Sequence, residues 1–176
     1  MIVRGMIHGR FQPFHNGHLE YLKGAAIRCE EVFVGITNPD PQRVKAEASD
    51  PLRHLPESNP YSYVERLLMI KAAAGDAGIE LPRLHVIPFP VNEPELWDAY
   101  VPHDVVQFIR LFSDWGGTKL GRLREAGYEV VVLDEGIGKE ISGADVRRAF
   151  RDGGDWKSLV PPGVASLLNE LRRVAV

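Results

Sequence analysis

Cysteine is almost missing from this chain: Cys29 is the single one among 176 residues. An internal disulfide is thereby excluded, and a reducing compartment fits. Cys29 continues an apolar helical stripe, so it is expected in the core rather than as a nucleophile. Long apolar runs are missing too. None approaches the roughly 20 residues that a membrane-spanning helix needs, and no signal-peptide pattern precedes the first apolar stretch. The expected location is the cytoplasm, with no membrane partner. Charge of one sign is not in excess, at a formal −3. That argues against nucleic-acid binding through bulk charge, while leaving room for a local basic cleft. Histidines, cysteine and carboxylates nowhere fall at metal-ligand spacing, so no protein-held metal is expected. There is no internal repeat, no low-complexity tract and no heptad pattern.

What remains is an alternation of short apolar runs with helical patterns. Strands are expected at Val3–His8, Val32–Ile36, Leu84–Ile87, Phe108–Phe112 and Glu129–Leu133. Helices are expected at Gly17–Glu30, Ser62–Gly75, a stretch near Glu95–Val106, Thr118–Ala126, Gly143–Asp152 and Gly163–Val174. Such alternation predicts a Rossmann-like, doubly wound and mostly parallel five-stranded sheet with helices on both faces. The length suits one α/β domain spanning 1–176, with a helical segment at about 143–176. Ligands of such sheets bind beyond the carboxyl ends of the strands.

The most informative stretch lies at the first of those ends: Gly9-Arg10-Phe11-Gln12-Pro13-Phe14-His15-Asn16-Gly17-His18. Two histidines three apart sit where a strand turns into a helix. A helix start offers free N–H groups and partial positive charge, which suits a polyphosphate. Gly9 lets the backbone approach a ligand, Arg10 adds fixed positive charge, and His15 and His18 can donate to phosphate oxygens. A second helix start is marked by Ser142-Gly143, with Arg147 about one turn in. Serine is a favoured N-cap, and arginine can reach back to an anion there. Together the two helix starts can grip one triphosphate from two sides. Between the strands, Asn38–Pro60 is a long connection rich in Pro, Asp, Arg and Ser. It reads either as a lid carrying Arg43, Lys45, Arg53 and His54 toward a nucleotide, or as a solvated surface loop.

These residues resemble the nucleotidyltransferase superfamily with the H-x-G-H signature, and within it the archaeal-type nicotinamide-mononucleotide adenylyltransferases. Gly9–His18 is similar to that family's G-R-F-Q-P-F-H-x-G-H. Asn59-Pro60-Tyr61-Ser62 followed by Glu65-Arg66-Leu67-Leu68-Met69-Ile70 resembles its N-P-F-T-x-x-E-R-x-x-M. Gly127-Tyr128-Glu129-Val130 resembles its G-Y-E-V, Ser142-Gly143 with Arg147-Arg148 most of its S-G-T-x-x-R-R, and Asp155–Pro161 its D-W-x-x-L-x-P. The resemblance implies transfer of a nucleoside monophosphate, AMP from ATP, to the phosphate of nicotinamide mononucleotide, as in NAD biosynthesis. Pyrophosphate leaves without a covalent enzyme intermediate. It implies His15, His18 and Arg147 as catalytic residues. Gly9, Arg10, Phe11, Gln12, Gly17, Ser142 and Gly143 would bind the nucleotide, and Mg²⁺ would ride on the phosphates. Trp97 would stack on the acceptor ring, with a core anchor as the alternative. That family often assembles, which makes a homo-oligomer one expected partner arrangement.

The departures fall on the acceptor side. Where the family usually reads Tyr-Ser-x-Asn-Pro, this chain reads Phe112-Ser113-Asp114-Trp115-Gly116-Gly117-Thr118-Lys119. Asp114, Trp115 and Lys119 are therefore candidate acceptor-binding residues, Lys119 for a second phosphate or a phosphonate. A turn with a buried Trp and a surface Lys is the plainer alternative. Ala144 replaces a hydroxyl residue, a loss of about 0.5–1.5 kcal/mol for one neutral hydrogen bond. Three functions compete: adenylyl transfer, cytidylyl transfer from CTP to a small phosphonate or phosphate, and a non-catalytic nucleotide-binding regulator. Glu65 and Arg66 are expected to be structural or to anchor their helix to the lid. His8 is expected to border the site, His85 to be packed and His103 to lie in a loop.

Overall fold

β-branched and aromatic residues concentrate in five short runs, and each becomes a strand. The structure, a computed structural model, describes residues 1–40, 54–112, 114–135 and 141–174. β1 spans Ile2–Gly9, β2 Cys29–Thr37, β3 Leu84–Phe89, β4 Val106–Leu111 and β5 Val130–Glu135. They form one sheet in the order β3-β2-β1-β4-β5, and every pairing is parallel. The order reverses at β1, between β2 and β4, so the crevice beyond Gly9 is the switch point where a ligand has room. Alternate side chains of β1 enter opposite cores, as a period of two requires. Ile7 packs in one apolar cluster with Phe108 and Leu168, and Met6 in another with Phe89, Trp97 and Ile109.

The described residues include five α-helices: α1 Asn16–Ala26, α2 Tyr63–Asp76, α3 Asp114–Glu125, α4 Gly143–Arg151 and α5 Pro162–Val174. α1 is shorter than its periodicity predicts. Cys29 leaves the helix because it pairs with Ile2 at the start of the β1–β2 ladder. Its thiol is buried and Sγ lies 3.1 Å from the Ala25 carbonyl, as expected of a core residue. α2 opens with a reciprocal cap. Ser62 Oγ accepts from the Glu65 N–H at 3.3 Å, and the Ser62 N–H donates to Glu65 Oε2 at 2.7 Å. Glu65 is thus structural. α5 lies on the chain's own core: Leu168 is buried in the same cluster as Ile7, with Leu167 and Leu171 against it. The Gly163 N–H at its start donates to Asp76 Oδ2 at the end of α2.

The helix expected near Glu95–Val106 shrinks to a 3₁₀ turn at Pro94–Ala99. Pro102 removes the N–H that a longer helix would need, and the chain enters β4 at Val106 instead. Of the proposed lid residues, Arg43, Lys45 and Arg53 lie outside the described residues. His54 begins the turn before the 3₁₀ segment Pro56–Ser58.

Candidate functional site

The switch-point crevice is a cleft of about 340 Å³ at the carboxyl ends of β1 and β4. Its walls gather His15, His18, Arg10, Arg147, Arg110 and Lys119. The two motifs that lie over 120 residues apart in the chain thus share one cavity.

The turn into α1 explains how. Phe11 takes a positive φ of 54°, which turns the chain sharply after β1. Its ring is buried, and it supports the His18 ring edge-on at 4.9 Å. His15 is the N-cap residue of α1, and its ring stacks on His18 with centroids 3.6 Å apart. The His15 N–H donates to His18 Nδ1 at 3.3 Å. That bond sets the neutral tautomer of His18: Nδ1 accepts, so Nε2 carries the proton and is a donor. Gly17 is needed beside the pair, because a Cβ there would stand 3.2 Å from the His15 ring. Gln12 acts mainly as a clamp. Its Nε2 donates to the Tyr61 carbonyl at 2.8 Å and its Oε1 accepts from the Tyr61 N–H at 2.9 Å.

α4 closes the cleft from the other side. The Ser142 hydroxyl is engaged in the cap with Asp145, and the bonds donated by the Ser142 hydroxyl and N–H hold the Asp145 carboxyl below the usual range. Ser142 therefore shapes the helix start, while its neighbours Ile141 and Gly143 line the cavity. Arg147 Nη1 donates to the Gln12 carbonyl, which ties α4 to the turn before α1. The fit is tight: a Cβ on Gly143 would lie 2.6 Å from that same carbonyl oxygen. Gly143→Ala is accordingly expected to push α4 outward and weaken nucleoside triphosphate binding about tenfold, near 1.4 kcal/mol. Titration calorimetry checks this, and an unchanged dissociation constant refutes it.

Arg66 is a site residue of another kind. It is fully buried, and its guanidinium donates to the carbonyls of Arg10, Thr37, Asn38, Pro39 and Ser62 at 2.9–3.2 Å. Burial lowers its pKa to about 10, so it stays charged at neutral pH. It anchors α2 to the carboxyl ends of β1 and β2.

The expected acceptor residues divide. Lys119 lines the cleft. Trp97 is not brought to it: the indole is fully buried, its Nε1 donates to the Pro90 carbonyl at 2.8 Å, and it packs on Phe89 and Tyr128. It is a core anchor, and the expectation that it stacks on an acceptor is corrected. Asp114 and Trp115 begin α3, but their side chains lie outside the described part. Sequence reading missed Arg110, Tyr21 and Phe112. Arg110 donates to the Gly17 carbonyl at 3.0 Å and stands 4.8 Å from the Phe112 ring centroid. Its signal was available: a charge at the end of an otherwise apolar strand. A second cleft of about 350 Å³ adjoins the carboxyl ends of β2 and β3, with Asn38, Asp40, Asn92, Leu96 and Tyr100 in its walls.

Among the described residues no group of three or more His, Cys, Asp or Glu is arranged to hold a metal ion, and no helix is long and apolar enough to cross a membrane. The described cleft lining carries imidazole and guanidinium groups but no carboxylate. Such a lining suits an anionic nucleotide.

Comparison with known proteins agrees with this geometry. A family described as cytidylyltransferase-like matches residues 6–149. A phosphonoformate cytidylyltransferase of Streptomyces viridochromogenes is 46% identical over 166 residues, covering 94% of this chain and 90% of that protein. A nicotinamide-nucleotide adenylyltransferase of Thermococcus onnurineus is 35% identical over 176 residues, covering 99% and 86%. Among solved structures, a bifunctional NMN adenylyltransferase/ADP ribose pyrophosphatase of Francisella tularensis, complexed with AMP and a manganese ion, superposes with a TM-score of 0.70 at 18% identity. It covers 98% of this chain and 50% of the other, and at that identity the likeness is one of fold. With two helix starts and a histidine pair facing one cleft, and with relatives of this identity along nearly its whole length, the chain belongs to the cytidylyltransferase-like family of H-x-G-H nucleotidyltransferases.

Proposed function

We propose that this nucleotidyltransferase moves a cytidylyl group from CTP to a small phosphonate acceptor. The observation that carries this reading is the 46% identity to a phosphonoformate cytidylyltransferase, against 35% for the adenylyltransferase of Thermococcus onnurineus. Two structural facts support it. Arg10, Arg110, Lys119 and Arg147 surround one small cavity, which suits a compact multiply charged acceptor beside a triphosphate. Trp97 is enclosed in the core, so it offers no ring for an acceptor base to stack on.

In this reading a phosphonate oxygen attacks the α-phosphorus. A new P–O–P linkage forms, the bond from the α-phosphorus to the bridging oxygen breaks, and pyrophosphate leaves with that electron pair. His18 Nε2–H and Arg147 donate to the phosphoryl oxygens as charge develops on them. His15 orders His18 through ring stacking and its backbone N–H. Lys119 and Arg110 hold the acceptor's anionic groups. A divalent ion, expected to be Mg²⁺, would be held by the triphosphate rather than by this chain and would supply charge neutralisation there.

A second reading, adenylyl transfer to nicotinamide mononucleotide, is favoured by the adenylyltransferase relatives and by the adjoining cleft at β2 and β3, which has room for a larger acceptor. Pyrophosphate release separates the two. Each nucleoside triphosphate is tested against phosphonoformate, nicotinamide mononucleotide and simple phosphate esters. Release with CTP and phosphonoformate is expected at least tenfold faster than with ATP and nicotinamide mononucleotide. The reverse ratio establishes the second reading. Tight triphosphate binding without acceptor-dependent release points to a regulator.

A further inference from the structure

The transfer chemistry leaves one imidazole of the cleft without a task. His8 stands on β1 just before Gly9 and lines the cleft, yet it is only 4% exposed. Neither of its ring nitrogens makes a well-formed hydrogen bond, and among the described residues the one side chain near enough to act on them as a hydrogen-bonding group is Gln107. Gln107 on β4 is fully buried, and its Oε1 likewise makes no well-formed hydrogen bond. Poorly satisfied polar atoms in one buried corner of a cleft call for an explanation, because an unpaired buried polar group is costly.

Their arrangement is not random. Gln107 pairs with Met6 in the β1–β4 register, and His8 lies two residues beyond Met6 on the same sheet face. Gln107 Nε2 donates to Met6 Sδ at 3.5 Å, which leaves Oε1 as the end of the amide available to His8. An acceptor beside the ring favours a proton on the nearer nitrogen, and the other nitrogen is then an acceptor. Burial holds His8 well below the ordinary imidazole range, and Lys119 pushes the same way, while Gln107 opposes. The ring is therefore neutral at physiological pH. Tyr21 does not compete for it, since its hydroxyl donates to the Phe108 carbonyl.

A neutral acceptor nitrogen cannot bind a phosphate oxygen. It requires a donor on the ligand. The phosphates have their own place at the two helix starts, so His8 faces another part of the nucleotide. We propose that His8 presents an acceptor nitrogen to the nucleobase, and so selects bases with an exocyclic amino group over those with an oxo group there. Gln107 is the positioning residue that sets the tautomer. The inference rests on the nucleotidyltransferase reading but not on the choice between CTP and ATP, since both bases carry such an amino group.

Equilibrium binding tests it without any acceptor. Dissociation constants for CTP, UTP, ATP and inosine triphosphate are measured on the wild type, His8→Phe and Gln107→Met, with thermal unfolding as the check on folding. The wild type is expected to bind the amino member of each pair at least tenfold tighter than the oxo member. His8→Phe is expected to bring both ratios below about threefold. Gln107→Met frees the tautomer, so His8 can donate to an oxo group and UTP binding is expected to improve several-fold. Equal affinity for amino and oxo nucleotides in the wild type overturns the proposal. So does an unchanged ratio in a folded His8→Phe, or in Gln107→Met if the first variant fails to fold. A failed pyrophosphate assay would overturn the acceptor assignment and leave these ratios standing, so the two failures are separable.

Discussion

Replacing His18 by alanine is expected to lower turnover at least a hundredfold while the protein keeps its fold. The rate argument is geometric. His18 is held by stacking on His15, by the edge of Phe11 and by the bond from the His15 N–H, so its donor is ordered before substrate arrives. Loss of one preorganised donor to a developing oxyanion costs about 10²–10³ in rate. The stability argument is local. The ring is half-buried at a helix start, and alanine leaves the His15 N–H without its acceptor, a loss of about 1 kcal/mol. Steady-state kinetics beside a thermal melt separates the two. The fall should appear in kcat more than in the KM for triphosphate, because the bond strengthens as charge accumulates. His18→Asn, which keeps a donor on a shorter arm, should recover part of the lost rate. An alanine variant with a normal melt and full turnover would remove His18 from the mechanism.

How much of this was legible beforehand depends on where the determining physics lies. The strands were visible because a buried parallel strand is a short apolar run, and all five runs became strands. The H-x-G-H stretch was visible because its chemistry is contiguous: turn, helix start and both imidazoles fall within ten residues. The position of Arg147 one turn into α4 was legible because a capped helix start carries its own local signature, and the structure puts it in the cleft wall. The failures are of the opposite kind. Whether Trp97 faces a ligand or the core depends on its distance from Pro90 and on Tyr128 packing beside it, and periodicity does not report either. Arg110 escaped notice because its role comes from Gly17, brought close by the β1–β4 pairing rather than by sequence. The His8–Gln107 corner was half seen. His8 was expected to border the site, but the partner that gives it a role stands on another strand.

Arg66→Met is expected to destabilise the fold by about 3 kcal/mol or more, although no catalytic group is touched. Five backbone carbonyls lose a charged donor together, and each such bond has a net worth of about 1.5–3 kcal/mol. The sum cannot be realised in full. Burying the guanidinium is itself costly, as its lowered pKa records, and methionine removes that cost along with the bonds. Packing does not compensate, because an unbranched thioether fills the volume but donates nothing. A fall in the urea midpoint at constant m-value would measure the loss, and a change below about 1 kcal/mol would show that these carbonyls find other donors. Arg66→Lys discriminates further. A single ammonium has three donors on a flexible stem and cannot span carbonyls of Arg10, Thr37 and Asn38 in one plane. It should therefore recover less than half of the stability. The consequence reaches both clefts: Arg10 borders the triphosphate cavity and Asn38 and Pro39 border the second one. The Lys variant, if it folds, should raise KM for triphosphate, because the cation that anchors α2 also holds the Arg10 wall of that cavity.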